Sequence, residues 1–484
     1  MEIKRFSEDF TEYLQDESRQ CGKAEFICFP ENAEEINEAI EFCRKQGLHL
    51  TIQGSRTGIT GGSVPDGGLI LNLERMNKVT GMSRDDTGFY LRCQPGLKLS
   101  ELRSILAEKN PDTTGWKPAE KEIWREFQSS GHWFFPPDPT ETSASLGGMA
   151  ACNASGARSY KYGATRNWIS DIRVLPTFSN YDKISHCVIN RISPDLKSAA
   201  GYYLPAQRRE IDLMIGAEGT LGVLYELELK LLPQPLHYLA VMQFFKEEPA
   251  AVEFSEKLRE MNLKPDAIEY FDAAAMILLR RNRQLWQELP ELQDDWQQAV
   301  YYEFSGNAEE ELEAAAFEAA DLAEVYGSQE NDCWIVDKRN EIENLKLFRH
   351  AVPEAINLKL DELKRNFPGI AKISTDLAVP DGCLSEMLHL YRETQKQGWQ
   401  VIVFGHIGNN HLHTNILPRN EDEYRRGKEI ALSWAKKAVE LGGTVSGEHG
   451  IGKIKRNLMP VMYDPQELML MQKIKDHYDP EGLF

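Results

Sequence analysis

Apolar and polar positions alternate along the chain in two different periods. From Glu34 to Gln46 the apolar residues Ile36, Ala39, Ile40 and Cys43 recur at helical spacing, which predicts a helix with one buried face. His49-Leu50-Thr51-Ile52-Gln53 and Leu69-Ile70-Leu71-Asn72-Leu73 read as strands on either side of a glycine-rich loop. Further glycine-rich blocks run from Ser143 to Gly163 and from Gly216 to Gly222, and Pro233-Gln234-Pro235 marks a domain exit. Glycine then becomes sparse. Strand-like runs at Ala240 to Phe245 and Ala299 to Phe304 lie between acidic helical stretches such as Glu309 to Glu324, which predicts a sheet with helices on one face. Asn110 to Ser130 is polar and poorly patterned and reads as a surface excursion. Three segments result: 1–235, 236–440, and 441–484, where glycine-rich sequence returns.

With 484 residues, more than one domain is expected. A net charge of −20 argues against a nucleic-acid partner, although the run Lys453-Ile454-Lys455-Arg456 could hold an anion locally. None of the eight cysteines forms a Cys-x-x-Cys pair, so no iron–sulfur or structural zinc site is readable. Scattered cysteines fit a reducing compartment. Met1 to Ser7 lacks the apolar core of a signal peptide, and no stretch approaches a membrane span. The expectation is a cytoplasmic protein, peripheral at the inner membrane face only through a partner.

Candidate chemistry lies in two places. Gly54-Ser55-Arg56-Thr57-Gly58-Ile59-Thr60-Gly61-Gly62 follows a strand. Glycines let successive backbone amides approach an anion, though a tight surface turn has the same composition. The loop lacks the spacing of a dinucleotide fingerprint.

Four histidines fall between residues 406 and 449. Val401 to Phe404 reads as a strand, Gly408-Asn409-Asn410 as a turn and His411 to Ile416 as a second strand, with His411, His413 and Asn415 on one face. A hairpin would bring His406 to that face. A lone strand histidine is more often a hydrogen-bonded core residue, but this set, with Glu448 beside His449, points to a metal or catalytic site. Nitrogen and carboxylate donors suit zinc or manganese. Gly447 to Lys453 also fits a phosphate-loop spacing, but Ile454 stands where Ser or Thr would bind magnesium, and Glu448 would place negative charge in the cradle.

The three glycine blocks, in the order G-x-x-x-G-x-x-G-G, P-P-D-P, S-x-G-G, K-Y-G and G-x-E-G-T-L-G, resemble the FAD-binding domain of the vanillyl-alcohol oxidase and p-cresol methylhydroxylase superfamily over about residues 25–235. The combination H-x-G-x-N-x-x-H and G-E-H-G-I-G-x-x-K-R is similar to the C-terminal region of FAD-linked D-lactate, glycolate and D-2-hydroxyglutarate dehydrogenases. That family commonly shows H-x-G-D-G-N-x-H, whereas this chain carries Asn409, Asn410 and His411 in place of the D-G-N triplet.

The resemblance implies an α+β chain: a two-part FAD-binding domain, residues 1–235 with the C-terminal segment 441–484 returning to it, and an α+β cap domain for the substrate, residues 236–440. Arg56, Thr57, Gly58, Ile59, Thr60, Gly61 and Gly62 would hold the pyrophosphate. Pro137, Asp138, Ser143, Ser145, Gly147 and Gly148 would line the flavin, with Asn153 and Gly156 in the same channel, and Glu218 and Gly222 near the adenosine half. No histidine lies between His49 and His132, so histidyl attachment of the flavin is not expected. The resemblance further implies a divalent metal on His406, His413 and Glu448, His449 as base, and Arg349 and Lys372 at the substrate carboxylate. The implied activity is oxidation of a small 2-hydroxy acid such as D-lactate, with hydride transfer to the flavin. An iron–sulfur electron acceptor would be a separate chain. A metal-free flavin oxidase of alcohols or sugars, and a non-catalytic flavoprotein subunit, are the rival expectations.

Overall fold

The structure is a computed structural model that describes residues 1–176, 184–193, 195–287, 289 and 291–484. Three sheets organise it. The first has four strands in the order Lys4–Arg5, Phe26–Cys28, Leu69–Asn72, Leu50–Gln53, with the last three parallel. Parallel strands need a crossover, and the helix Ala33–Gln46 supplies it. Asn32 accepts from the Glu35 amide at 3.0 Å to start that helix, and Ile36, Ala39, Ile40 and Cys43 face the sheet. The second sheet, in the order Val79–Asp85, Gly88–Cys93, Val223–Lys230, Ile169–Leu175, is antiparallel.

The third sheet is antiparallel with seven strands, ordered Cys333–Val336, His237–Phe245, Gln298–Gly306, Ala267–Phe271, Val401–Gly405, His411–Ile416, Ile373–Ala378. Its strands do not carry helices on one face only, as the alternation suggested. Leu239, Val241 and Phe245 pack toward the helices Glu248–Glu260 and Glu309–Val325, while Ala240, Met242 and Phe244 pack toward Ala273–Asn282 and Arg339–Lys364. The strands are apolar on both faces, which is the pattern of a sheet covered twice.

Residues 110–130 are not a surface excursion. Pro118 opens a helix, Pro118–Ser129, whose Glu120, Trp124 and Phe127 form one buried stripe. Trp116 donates from its ring N–H to the Val79 carbonyl at 3.1 Å. The charged residues of the outer face hide this stripe in composition. After the long helix Glu421–Glu440, the chain returns to the first sheet: the Leu50 amide donates to the Leu483 carbonyl at 2.8 Å and Arg44 pairs with Glu481 at 2.6 Å. Among the described residues no helix is long and apolar enough to cross a membrane.

Candidate active site

Strand register assembles the histidines. Phe404 pairs with His413, and Asp376 on the neighbouring strand also pairs with His413. His411 and His413 share one face of the sheet, while Leu412 and Ile416 point to the opposite core. The turn between the strands is tight, and Asn410 adopts φ 50°. Gly405 has φ 120°, and a Cβ there would stand 2.9 Å from the His413 ring, so glycine is required. Gly447 is required for a similar reason: a Cβ would meet the His411 ring at 2.8 Å. Ser446 bridges to Asp376, and this carries Glu448 and His449 to the same face.

The Glu269 carboxylate beside His406 sets the tautomer of that ring. Nδ1 of His406 donates to Glu269 Oε1 at 2.6 Å. Its Nε2 therefore presents a lone pair, 3.2 Å from Glu448 Oε2 and 3.3 Å from the Arg349 Nη2 donor. His413 Nε2 lies 3.7 Å from the same Glu448 oxygen. Donor atoms of His406, His411, His413 and Glu448 all lie within 4.8 Å of one another. Burial keeps the two later rings neutral: it lowers His411 to about 4, and it holds His413 well below the ordinary value, helped by His411 and His406. Burial disfavours the Glu448 anion, yet His406 and Lys197 hold its carboxyl well below the usual range. The result is a buried group of lone pairs turned toward one carboxylate oxygen. Lone pairs facing each other repel unless a cation lies between them, so the donor set fits a divalent metal.

The other Glu448 oxygen is held from a distant part of the chain, by Ser155 Oγ at 2.7 Å and the buried Lys197 ammonium at 2.5 Å. Asp376 is a second hub. Its Oδ1 accepts from His411 Nε2 at 2.6 Å, and Oδ2 accepts from Lys455 at 2.6 Å, Ser446 at 3.1 Å and His449 Nδ1 at 3.3 Å. Burial opposes its charge, but Lys455, His449 and His411 outweigh that and hold the carboxyl far down. Lys453 donates to the Val64 carbonyl at 2.5 Å, so neither it nor Lys455 is a free surface cation.

Arg349 pairs through Nε with the fully buried Glu269 Oε2 at 3.1 Å and lines a cleft with Asp138, Arg158 and Lys346. Lys372 is not brought into this group. Its ammonium donates to Asn357 at 2.9 Å, and its Cα lies four positions before Asp376, about 13 Å along the strand direction.

The residues assigned to the cofactor lie on three converging segments. Arg56 has φ 60° and stacks 4.2 Å from the Tyr13 ring. Thr57, Gly58 and Ile59 lie at the rim of the loop, and Ile59 is exposed. A Cβ at Gly58 would meet nothing within 4 Å, so no internal packing demands glycine there. Thr60 accepts at its carbonyl from the Lys453 and Ile454 amides at 2.9 and 3.1 Å. Gly61 and Gly62 complete the turn, and Gly62 faces Glu218 at 3.9 Å. Ser145 caps the helix Leu146–Cys152 by accepting from Gly148 and reaches the Ser55 amide at 3.4 Å. Gly147 packs on Pro95, and Gly156 packs on the backbone of Asp138, which follows Pro137. Ser143 is exposed at the entrance. Asn153 accepts from the Arg166 amide at 2.9 Å.

Glu218 is engaged elsewhere than the adenosine assignment implies: its carboxylate accepts from the Ile451 and Gly452 amides at 2.8 and 2.7 Å. It fills the anion nest of the phosphate-loop-like turn with an internal carboxylate. Gly222, with φ 143°, leads into the strand behind it.

Glu269, Lys197, Ser155 and Lys455 are site residues that motif reasoning missed. Two of them had a signal: Glu269 is a single charge inside the apolar strand Ala267–Phe271, and Lys455 is the lysine of the G-E-H-G-I-G-x-x-K-R run.

The model for the C-terminal domain of FAD-linked oxidases matches residues 235–484, and an FAD-binding domain model matches 24–113. The chain is 28% identical to a D-lactate dehydrogenase of Anaerostipes hadrus over 98% of this chain and 91% of that one. It is 26% identical to glycolate oxidase subunit GlcD of Bacillus subtilis over 94% and 87%. It is 25% identical to a D-2-hydroxyglutarate dehydrogenase of Stutzerimonas stutzeri over 94% and 89%. An alkyldihydroxyacetonephosphate synthase structure superposes with a TM-score of 0.63 at 16% identity, covering 96% of this chain and 76% of that one, a likeness of fold. The fold is α+β, an FAD-binding domain followed by the C-terminal domain of the FAD-linked oxidases. The chain belongs to the FAD-linked oxidases and is an FAD-dependent oxidoreductase.

Proposed function

We propose that the protein oxidises a small D-2-hydroxy acid of the D-lactate type to its 2-oxo acid, with a divalent metal on His406, His413 and Glu448. One observation carries this: His406 and His413 nitrogens and the Glu448 anion converge beside Arg349 and His449. A hydroxy acid needs that combination, a cation for its hydroxyl oxygen, a guanidinium for its carboxylate and a base for its proton. The names of the relatives, D-lactate dehydrogenase among them, agree in substrate class.

When bound, the flavin supplies the acceptor for the hydride leaving Cα, and the metal supplies positive charge at the hydroxyl oxygen. Arg349 holds the carboxylate through its planar donor edge, with Glu269 fixing the guanidinium from behind. This orients one face of Cα. His449 Nε2 takes the hydroxyl proton, because Asp376 occupies Nδ1. Glu448 stays in place because Ser155 and Lys197 bind its outer oxygen. FAD is held non-covalently.

Anaerobic mixing with a panel of D- and L-2-hydroxy acids tests the proposal. D-Lactate or a close D-acid should bleach the flavin, and the L-acids should not. Equal bleaching by a simple alcohol or a sugar, and none by any hydroxy acid, would overturn it.

A further inference from the structure

The metal site proposed above has a further candidate donor. His411 is fully buried, and its Nδ1 has no hydrogen-bond partner. Its Nε2 lies 2.6 Å from Asp376 Oδ1. The Asp376 carboxylate is ionised, since Lys455, Ser446 and the His449 ring all donate to its other oxygen. An ionised carboxylate only accepts, so the proton of His411 is on Nε2. Nδ1 is then a buried lone pair with nothing to accept from. Buried polar atoms of this kind call for a partner. The ring stands among the others: its centroid is 5.3 Å from that of His406 and 4.8 Å from that of His413.

We propose that His411 is a fourth protein ligand, binding the metal through Nδ1 while Asp376 holds its Nε2–H. The arrangement is a carboxylate–histidine–metal relay, in which the anion fixes the tautomer and makes the ring a stronger donor. His406 is built in the same sense, with Glu269 on its far nitrogen. The two carboxylates thus aim two rings from opposite sides of the hairpin. The assignment rests on the metal reading of the previous subsection and extends it. A site with three imidazoles and one carboxylate binds zinc more tightly than one with two imidazoles, and a substrate hydroxyl joins it as an additional ligand.

X-ray absorption on the wild-type, FAD-loaded enzyme after loading with Zn2+ counts the imidazoles without any mutation. Three imidazoles are expected. Two imidazoles would overturn the His411 assignment and leave the three-residue site standing. Failure of the wild type to retain any Zn2+ after gel filtration would overturn both. His411→Asn gives the companion measurement, provided its flavin content and circular dichroism match the wild type. Competition with a chromophoric chelator should show a roughly 10–100-fold loss of Zn2+ affinity, the scale expected for support of a bound metal. The Co2+-loaded variant should show altered visible ligand-field bands. Unchanged affinity and unchanged bands would overturn the assignment.

Discussion

Nδ1 of His449 stands 3.3 Å from Oδ2 of Asp376, and the residue that makes this contact holds a left-handed backbone, φ 65°. The conformation is unusual for a residue with a side chain, and it lets one tight turn aim Glu448 and His449 at a common point. With Nδ1 committed, only Nε2 can serve as the proton acceptor. His449→Asn should therefore keep its flavin and slow anaerobic flavin reduction by roughly 10²–10⁴-fold. Stopped-flow reduction at the wild-type rate would make His449 a structural residue.

Metal removal should separate the two halves of the site. Chelation is expected to abolish turnover while leaving the flavin spectrum nearly intact, because the glycine loops and the histidine hairpin are different segments. Zinc or manganese should restore activity. Full activity in protein shown by elemental analysis to be metal-free would exclude His406, His413 and Glu448 as catalytic ligands.

Arg349→Lys keeps the charge but loses the fork. A charge-assisted hydrogen bond contributes roughly 1.5–3 kcal/mol, so the Michaelis constant should rise by at least about tenfold. The Glu269 pair is also weakened, which makes the change less conservative than it looks. An unchanged Michaelis constant would place the substrate carboxylate elsewhere in the cleft.

Acid precipitation should give a colourless pellet and a yellow supernatant, since the Gly54 to Gly62 loop holds no histidine. A pellet that stays yellow in denaturant would mean a covalent bond, and a cysteine would be the first residue to map.

Stability should carry one pH signature outside the site. Asp272 caps the helix Ala273–Asn282, and burial raises its carboxyl to about 7. The folded protein therefore binds a proton that the unfolded chain releases near pH 4. Stability falls as pH rises from about 4 to about 7 and is flat above. Asp272→Asn keeps the capping oxygen and removes this dependence, a difference on the order of 2–4 kcal/mol across the window. Denaturant midpoints of both proteins at pH 5 and pH 8 measure it, and parallel shifts would refute it.

The histidine hairpin was legible in sequence because strand alternation is local: His411 and His413 fall on one face by counting twos. The helix Ala33–Gln46 was legible for the same reason. What was hidden depends on distant pairing. Glu269 lies 137 residues from His406, and nothing in its own strand says which cation it will meet. Lys197 and Ser155 reach Glu448 from far along the chain, Ser155 across a separation of 293 residues. Lys372 sits in a familiar motif, yet the register that brings Asp376 to the centre carries it along the strand away from the cluster. Trp124 and Phe127 were obscured by charged neighbours that all lie on the outer face of their helix.

The clasp between Glu218 and the Ile451 and Gly452 amides has a consequence for the order of events in synthesis. Thr60, Glu218 and the Gly450 turn meet across sequence separations as large as 389 residues. Such contacts close very long loops, which is slow and entropically costly. A chain growing from the ribosome makes the strands of its first sheet well before the partners of Glu218, which follow that residue by 233 and 234 positions. Until those emerge, the buried Glu218 carboxylate lacks both of its donors. The flavin loop is thus locked only once a turn made 233 residues beyond Glu218 has folded back onto it.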